Sequence, residues 1–297
     1  MLVRSESEYA HLTLPRGSTK LRVQSGRMSE EKAPRELNVT LPAPLQGTPA
    51  LGDTFVLLPL AEEGGILARL DLETGLLTKL LNWRAVGAEA QARGYVVLFH
   101  RGEGVMTDGA RGLFRISSSD GKTWTKGREK PFAHRITGPP VLLQGEDAGS
   151  LGMCVADASN TITILDFDRL NVRQSWLMPG KITAGPFARG SQIGCVVERN
   201  LLVWINPKEK ESVWEYRFAD ILGEPHLIGD DLIVGDVAGR FVALDPKDGG
   251  PRGPVLTLKA NVAATAAPLP FGPGRAFVPL TDGTIVILPL AKLRAAK

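Results

Sequence analysis

The chain has 297 residues, 43% of them hydrophobic, which is ample for a large buried core. Lys and Arg total 35 against 32 Asp and Glu, a formal net charge of +3, and no dense basic tract marks a nucleic-acid footprint. No run approaches the roughly 18 uncharged apolar residues of a membrane span, and residues 1–8 lack the apolar core of a signal peptide. As written, the chain is expected in the cytoplasm. It would be periplasmic or membrane-tethered if it were the C-terminal part of a longer protein.

In chain order, residues 12–14 and 20–23 read as a hairpin around Pro15 to Ser18. The polar stretch 24–36 reads as a mobile loop, and Leu37 to Leu41 as an outer strand. Residues 1–41 therefore predict a partial N-terminal blade with no inner strand. From residue 48 to residue 290 one unit recurs six times: an apolar strand, a tight polar turn, a second apolar strand. Its copies centre on Ile66 to Asp71, Leu113 to Ser117, Cys154 to Asp166, Leu201 to Asn206, Leu232 to Asp245 and Ala276 to Leu288. The second strands end at Asp71, Ser117, Asp166, Asn206, Asp245 and Pro289, spaced by 46, 49, 40, 39 and 44 residues. A period near forty with strands inside each unit predicts an all-β fold, a β-propeller of four-stranded antiparallel blades, seven in number with six clear and one incomplete.

The punctuation fits. Thr48-Pro49, Gly138-Pro139-Pro140, Gly185-Pro186, Glu224-Pro225 and Ala267-Pro268 each open a unit, as suits a proline at the first residue of a strand. The second unit has its counterpart near Glu89 to Gly94, after a segment from Asn82 to Arg93 that reads as a short helix or an irregular crossing. The second strands read as half-buried and alternating. Outer strands are expected over 76–81, 122–126, 172–178, 212–218 and 255–258. The last unit leaves only residues 289–297 for an outer strand. Either Leu37 to Leu41 completes that blade, giving six, or the N-terminus holds an incomplete seventh; the spacing favours the second, and with it a chain that is part of a longer propeller protein.

The repeat runs through Gly229-Asp230-Asp231-Leu232-Ile233-Val234, Gly239-Arg240-Phe241-Val242-Ala243-Leu244-Asp245, Leu67-Ala68-Arg69-Leu70-Asp71 and, with its tryptophan, Asn206 to Trp214. It resembles the quinoprotein-like (pyrroloquinoline-quinone-like) propeller repeat over residues 48–290, one of the WD40-like repeat architectures. That resemblance implies a bacterial propeller and covers both quinone-dependent alcohol dehydrogenases and non-catalytic members, such as a propeller lipoprotein of the outer-membrane assembly machinery. It also implies that Trp214 packs blade against blade. Trp124 sits one residue early and Trp176 one late, and the units ending at Asp71 and Asp245 lack the tryptophan.

The dehydrogenases of that family set an adjacent cysteine pair against the quinone, with a carboxylate and Ca²⁺ nearby. Here Cys154 and Cys195 are the two cysteines, and they occupy equivalent sites in successive units. Packed sheets lie about 10 Å apart and a disulfide needs Cα atoms within about 7 Å, so both read as buried free thiols. Asp230, Asp231 and Asp236 form a candidate oxygen-ligand cluster for a hard cation. Their alternative roles, a turn before a strand and a hairpin cap, fit better. His226 lies on an inner strand as a candidate channel residue or a hydrogen-bonded filler; His11, His100 and His134 are unpaired. Lys122 to Lys130 interleaves basic residues with Trp124, as single-strand sites do, yet it falls on an outer strand where charge guards an edge. Gly272-Pro273-Gly274 lacks the third glycine and the strand-to-helix setting of dinucleotide binding. No catalytic, cofactor-binding or metal site is assigned. The expected function is a non-catalytic, monomeric scaffold that binds another protein or domain, with no nucleic acid and no cofactor. The alternatives are a quinone- or metal-dependent oxidoreductase and a sensory or ligand-binding module.

Overall fold

The structure is a computed structural model that describes residues 2–4, 8–15, 18–27, 33–85, 93–100, 102–143, 152–207, 212–258, 263–270 and 274–294. It is all-β. Seven small antiparallel sheets form the blades of a β-propeller, and the one helical turn described is 3-10. No helix among the described residues is long and apolar enough to cross a membrane.

The first blade holds β1 (Leu2–Arg4), β2 (Glu8–Thr13), β3 (Lys20–Arg27) and β4 (Arg35–Thr40) in that order. After β5 (Gly47–Thr48), the second holds β6 (Ala50–Leu51), β7 (Phe55–Leu60), β8 (Ile66–Asp71) and β9 (Leu77–Asn82). The third holds β10 (Gly94–His100), β11 (Glu103–Thr107), β12 (Gly112–Ser117) and β13 (Thr125–Pro131), with β5 added parallel to β10. The fourth holds β14 (Val141–Leu143), β15 (Gly152–Ala156), β16 (Thr161–Asp166) and β17 (Val172–Leu177). The fifth holds β18 (Ile182–Arg189), β19 (Gln192–Val197), β20 (Leu201–Ile205) and β21 (Ser212–Arg217). The sixth holds β22 (His226–Ile228), β23 (Asp231–Gly235), β24 (Arg240–Leu244) and β25 (Leu256–Thr257). The seventh has three strands, β26 (Leu269–Pro270), β27 (Arg275–Pro279) and β28 (Ile285–Pro289), followed by the 3-10 turn Leu290–Leu293.

The N-terminal blade is complete, against the expectation of a partial one. Its innermost strand is β1, whose Leu2, Val3 and Arg4 pair with His11, Ala10 and Tyr9. Leu37 belongs to β4 and pairs with Val23, so this segment completes the first blade and not the last. The stretch 24–36 is strand at both ends, since β3 runs to Arg27 and β4 starts at Arg35. Residues 28–32 lie outside the described ones; Arg35 and Glu36 open an exposed outer strand, which needs no apolar residues, while Gln24 to Arg27 end β3 with the polar Ser25 buried. Among the described residues, the blade with three strands is the seventh.

The chain divides into two compact units, residues 1–142 with 165–173 and residues 143–164 with 174–297. In the first, Ala10, Leu12, Leu21 and Val23 pack on Val56, Leu58, Leu60, Ala68 and Leu70 of the second blade. Leu57 and Leu67 point to that blade's opposite face, where they meet Trp83, Val96, Met106, Phe114 and Ile116. In the second unit, Leu202, Trp204 and Trp214 pack on Leu232, Val234, Val242 and Leu244. Ile233, Phe241 and Ala243 face the other way, toward Ala276, Val278 and Leu288. The expected half-burial of the second strands is thus corrected. A second strand sandwiched between two neighbouring blades is buried on both faces, as in β20 and β24. Alternation with exposed residues survives in outer strands such as β4 and β17.

Most unit-opening prolines stand where a strand begins. Pro140, Pro225 and Pro268 directly precede β14, β22 and β26, and Pro49 directly precedes β6. Pro186 follows a cis bond inside β18, where the register to β19 shifts. Of the segment 82–93, Trp83 to Ala85 is non-helical, and residues 86–92 lie outside the described ones.

Candidate functional site

Three buried carboxylates, Asp108, Asp157 and Asp236, are committed to the chain's own turns. Asp108 accepts from the amides of Ala110 and Gly112 at 2.8 and 2.9 Å. Asp157 accepts from the Ser159 amide at 2.8 Å, and Asp236 from the Arg240 amide at 2.9 Å. All three are buried and sit just after a second-layer strand, β11, β15 or β23, so one device recurs in three blades. A carboxylate there satisfies turn amides that would otherwise need water. The exposed Asp120 does the same at another turn: the amides of Thr123 and Lys122 hold its carboxyl well below the usual range.

Of the candidate cation cluster, Asp230, Asp231 and Asp236, the last is neutralised by its own hairpin, with Arg240 Nε donating to Oδ2 at 2.7 Å. Asp231 opens β23, is fully buried and faces two guanidinium groups. Arg294 Nε donates to Asp231 Oδ2 at 2.7 Å. Arg252 Nε lies 3.0 Å from Oδ1, but its angle leaves Oδ1 without a hydrogen bond. Arg252 also reaches Asp245 Oδ2 at 2.8 Å. The hydrogen bond to Asp231 raises the pKa of Arg294. This cluster latches the segment after the 3-10 turn onto the sixth blade. Nothing in the sequence signals it, because Arg294 is 63 residues from Asp231. Among the described residues, no three His, Cys, Asp or Glu side chains are grouped as a metal would need.

The other candidates stay apart. His226 is half-buried on β22, and burial pushes its pKa down. Burial also pushes the pKa of Glu224 up, although the residue as a whole is exposed. No hydrogen bond links the two. His11 and His134 are exposed, and the His100 side chain lies outside the described residues. Cys154 on β15 and Cys195 on β19 are buried and free, as expected from their places in successive blades. Burial pushes the Cys195 thiol up to about 12. It pushes Cys154 well above the ordinary thiol value, with Cys195 adding to the effect. Within the Lys122 to Lys130 stretch, β13 is the outermost strand of its blade and almost wholly exposed. Lys126 sits over the Phe114 ring at 3.9 Å. Residues 272 and 273 of the glycine-proline motif lie outside the described residues.

One surface stands out that the sequence had shown only as a shortage of strands. In the hairpin of β27 and β28, Leu280 N–H donates to Thr284 O at 2.9 Å and Leu290 N–H to Gly274 O at 3.0 Å. Hydrogen-bonded antiparallel pairs recur every second residue. Val278–Val286 and Ala276–Leu288, which lie between those two pairs in the same register, are therefore the bonded ones. Ile285 and Ile287 aim their N–H and C=O away from β27. No strand among the described residues takes up that edge. The side chains of Ile285 and Ile287 are 60% and 42% exposed, against 2% for Leu288.

Neither a protein-family model nor a curated protein matches the sequence. Solved structures do match. The crystal structure of BamB from Moraxella catarrhalis is similar over 97% of this chain and 84% of its own, with a TM-score of 0.63 and 13% identity. AztD from Citrobacter koseri is similar over 88% of this chain and 71% of its own, with a TM-score of 0.57 and 12% identity. An apo AztD structure from the same organism covers the same shares at a TM-score of 0.56 and 13% identity. At such identities the likeness is one of fold, and fold alone does not fix function. It agrees with the quinoprotein-like propeller resemblance of the repeats.

Proposed function

We propose that the chain is a non-catalytic propeller platform on which another protein docks. The observation that supports this best is the free edge of β28: an uncharged strand with two isoleucines in solvent, on a scaffold whose turns are pinned by their own carboxylates. Exposed apolar strips of this kind mark interaction sites, and rigid turns keep the docking geometry fixed with little entropy to lose. The buried aspartates are spent on amides and guanidinium groups, so the polar interior serves the fold. The propeller resemblance, which includes non-catalytic members, points the same way.

The test is paired. The intact protein should retain a protein partner in stoichiometric amount from extracts of the cells that make it. It should also give no dye-linked dehydrogenase turnover with pyrroloquinoline quinone and Ca²⁺ added. Turnover above the protein-free blank, or saturable quinone binding with a new visible absorbance, would replace the platform by the oxidoreductase reading.

A further inference from the structure

We infer that β28 is an acceptor edge for an extended segment of a partner protein, which adds as an antiparallel fourth strand to the seventh blade. This deepens the platform reading and rests on it.

The outer strands of the other blades are guarded. β4 carries Arg35 and Glu36, β9 Lys79, β13 Lys126, Arg128 and Lys130, β17 Arg173, and β21 Glu215 and Arg217, while β25 is two residues long. Charge and shortness are the usual means of blocking strand addition at an edge. From Gly283 to Ala291 there is no charged residue. Pro289, the last residue of β28, limits the strip at that end. Among the described residues that follow, 290–294, none folds back to cover the edge. The segment turns into the 3-10 helix, buries Leu290 and Leu293, and is held by Arg294 on Asp231 of the sixth blade.

The chemistry of the edge describes its occupant. Ile285 and Ile287 offer two N–H donors and two C=O acceptors in strand register, which only an extended backbone can satisfy in full. Aliphatic side chains at alternate positions of the added strand would stand beside the two isoleucines. Asp282 precedes the strip and Lys292 follows it, both exposed. An antiparallel partner would therefore do best with an acidic residue at its N-terminal end and a basic one at its C-terminal end. The strip is five residues long, about 17 Å at 3.4 Å per residue. One strand spacing of about 4.8 Å wide, it covers on the order of 80 Å², far short of the roughly 800 Å² per partner that a stable dimer buries, so a short peptide segment fits it better than a second copy.

The probe is an acetylated, fluorescein-labelled peptide, Glu-Thr-Val-Thr-Ile-Thr-Val-Lys amide, titrated into the full chain by fluorescence anisotropy. Saturable binding is expected. N-methylation of the alternate amides that face β28 should weaken it at least tenfold, and N-methylation of the other set should leave it unchanged. Ile287→Pro removes one outward N–H without touching the β27 ladder; it should abolish binding while the melting transition stays in place. Should that variant misfold, the double variant Ile285→Lys, Ile287→Lys should show the same tenfold loss. No binding by the wild type, or equal loss with either N-methyl set, overturns the acceptor edge. Sedimentation that reveals a dimer lost in Ile287→Pro assigns the edge to a second copy and overturns the peptide assignment. If the probe fails while the wild type and Ile287→Pro retain the same cellular partner equally, the edge inference falls and the platform stands.

Discussion

Trp214→Ala is the sharpest test of the blade packing. Trp214 projects from β21 and stacks on Trp204 with ring centroids 5.4 Å apart and planes 3° from parallel. Its Nε1 donates to Pro246 O at 3.3 Å, in the turn after β24, and it remains 7% exposed. The indole therefore closes the seam between the fifth and sixth blades. A tryptophan buries on the order of 200 Å², of which alanine keeps little. At about 25 cal/mol per Å² this amounts to about 5 kcal/mol, the top of the ~3–5 kcal/mol observed for such truncations. Urea unfolding followed by far-ultraviolet circular dichroism suits the measurement, because the mutation itself alters the fluorescence. With a slope of about 3 kcal/mol/M, the midpoint should fall by about 1–1.7 M. Trp176, half-buried on β17, should lose less than half as much when truncated. A loss below about 0.5 kcal/mol at Trp214, the range of surface sites, would refute the seam.

Further outcomes follow from the same contacts. Gly249→Ala should destabilise by about 2 kcal/mol or more, since φ is +71° and a Cβ would meet Trp214 Cε3 at 2.5 Å; an unchanged urea midpoint would contradict the fit of glycine against indole. Asp231→Ala should cost about 2 kcal/mol, as expected for hydrogen bonds to charged groups, and should speed amide exchange over 290–294; slow exchange there would show that Arg294 does not latch the segment. Burial raises both thiols, so the unfolded chain loses their protons first as pH rises. Their contribution is complete below about pH 8.5 and is lost above it by about 1.4 kcal/mol per pH unit per thiol. Urea midpoints at pH 7.5 and 9.5 should therefore diverge more for the wild type than for Cys154→Ala, Cys195→Ala, and equal slopes would refute the assignment.

Much of the fold was legible because propeller blades repeat their local chemistry. Proline before an inner strand, a polar or glycine turn and an apolar second strand are local signals, and they placed β14, β22 and β26 and the strands from β15 onward. Trp214 was legible because its neighbours in the repeat fix its register. What escaped was either too short or too distant. β1 is three residues ending in Arg4. Trp83, which fills the tryptophan role for the second blade, lies just past β9; it packs on Gly65 and Gly94 and donates to Leu60 O at 3.2 Å. Its partners come from three separate segments. The Arg252–Asp231–Arg294 cluster joins residues that no periodicity relates. The β28 edge was half legible: counting strands showed a shortage, but Leu37 to Leu41 lay in the first blade, and only the hydrogen-bond register of the last hairpin located the open groups.

The platform reading is tested most directly inside the cells that make the protein. A photo-crosslinking amino acid placed at Ile287, and as a control at the exposed Leu177 of β17, should capture one discrete protein from position 287 and none from 177. No adduct from 287, or the same adducts from both positions, would contradict a docking platform built on that edge.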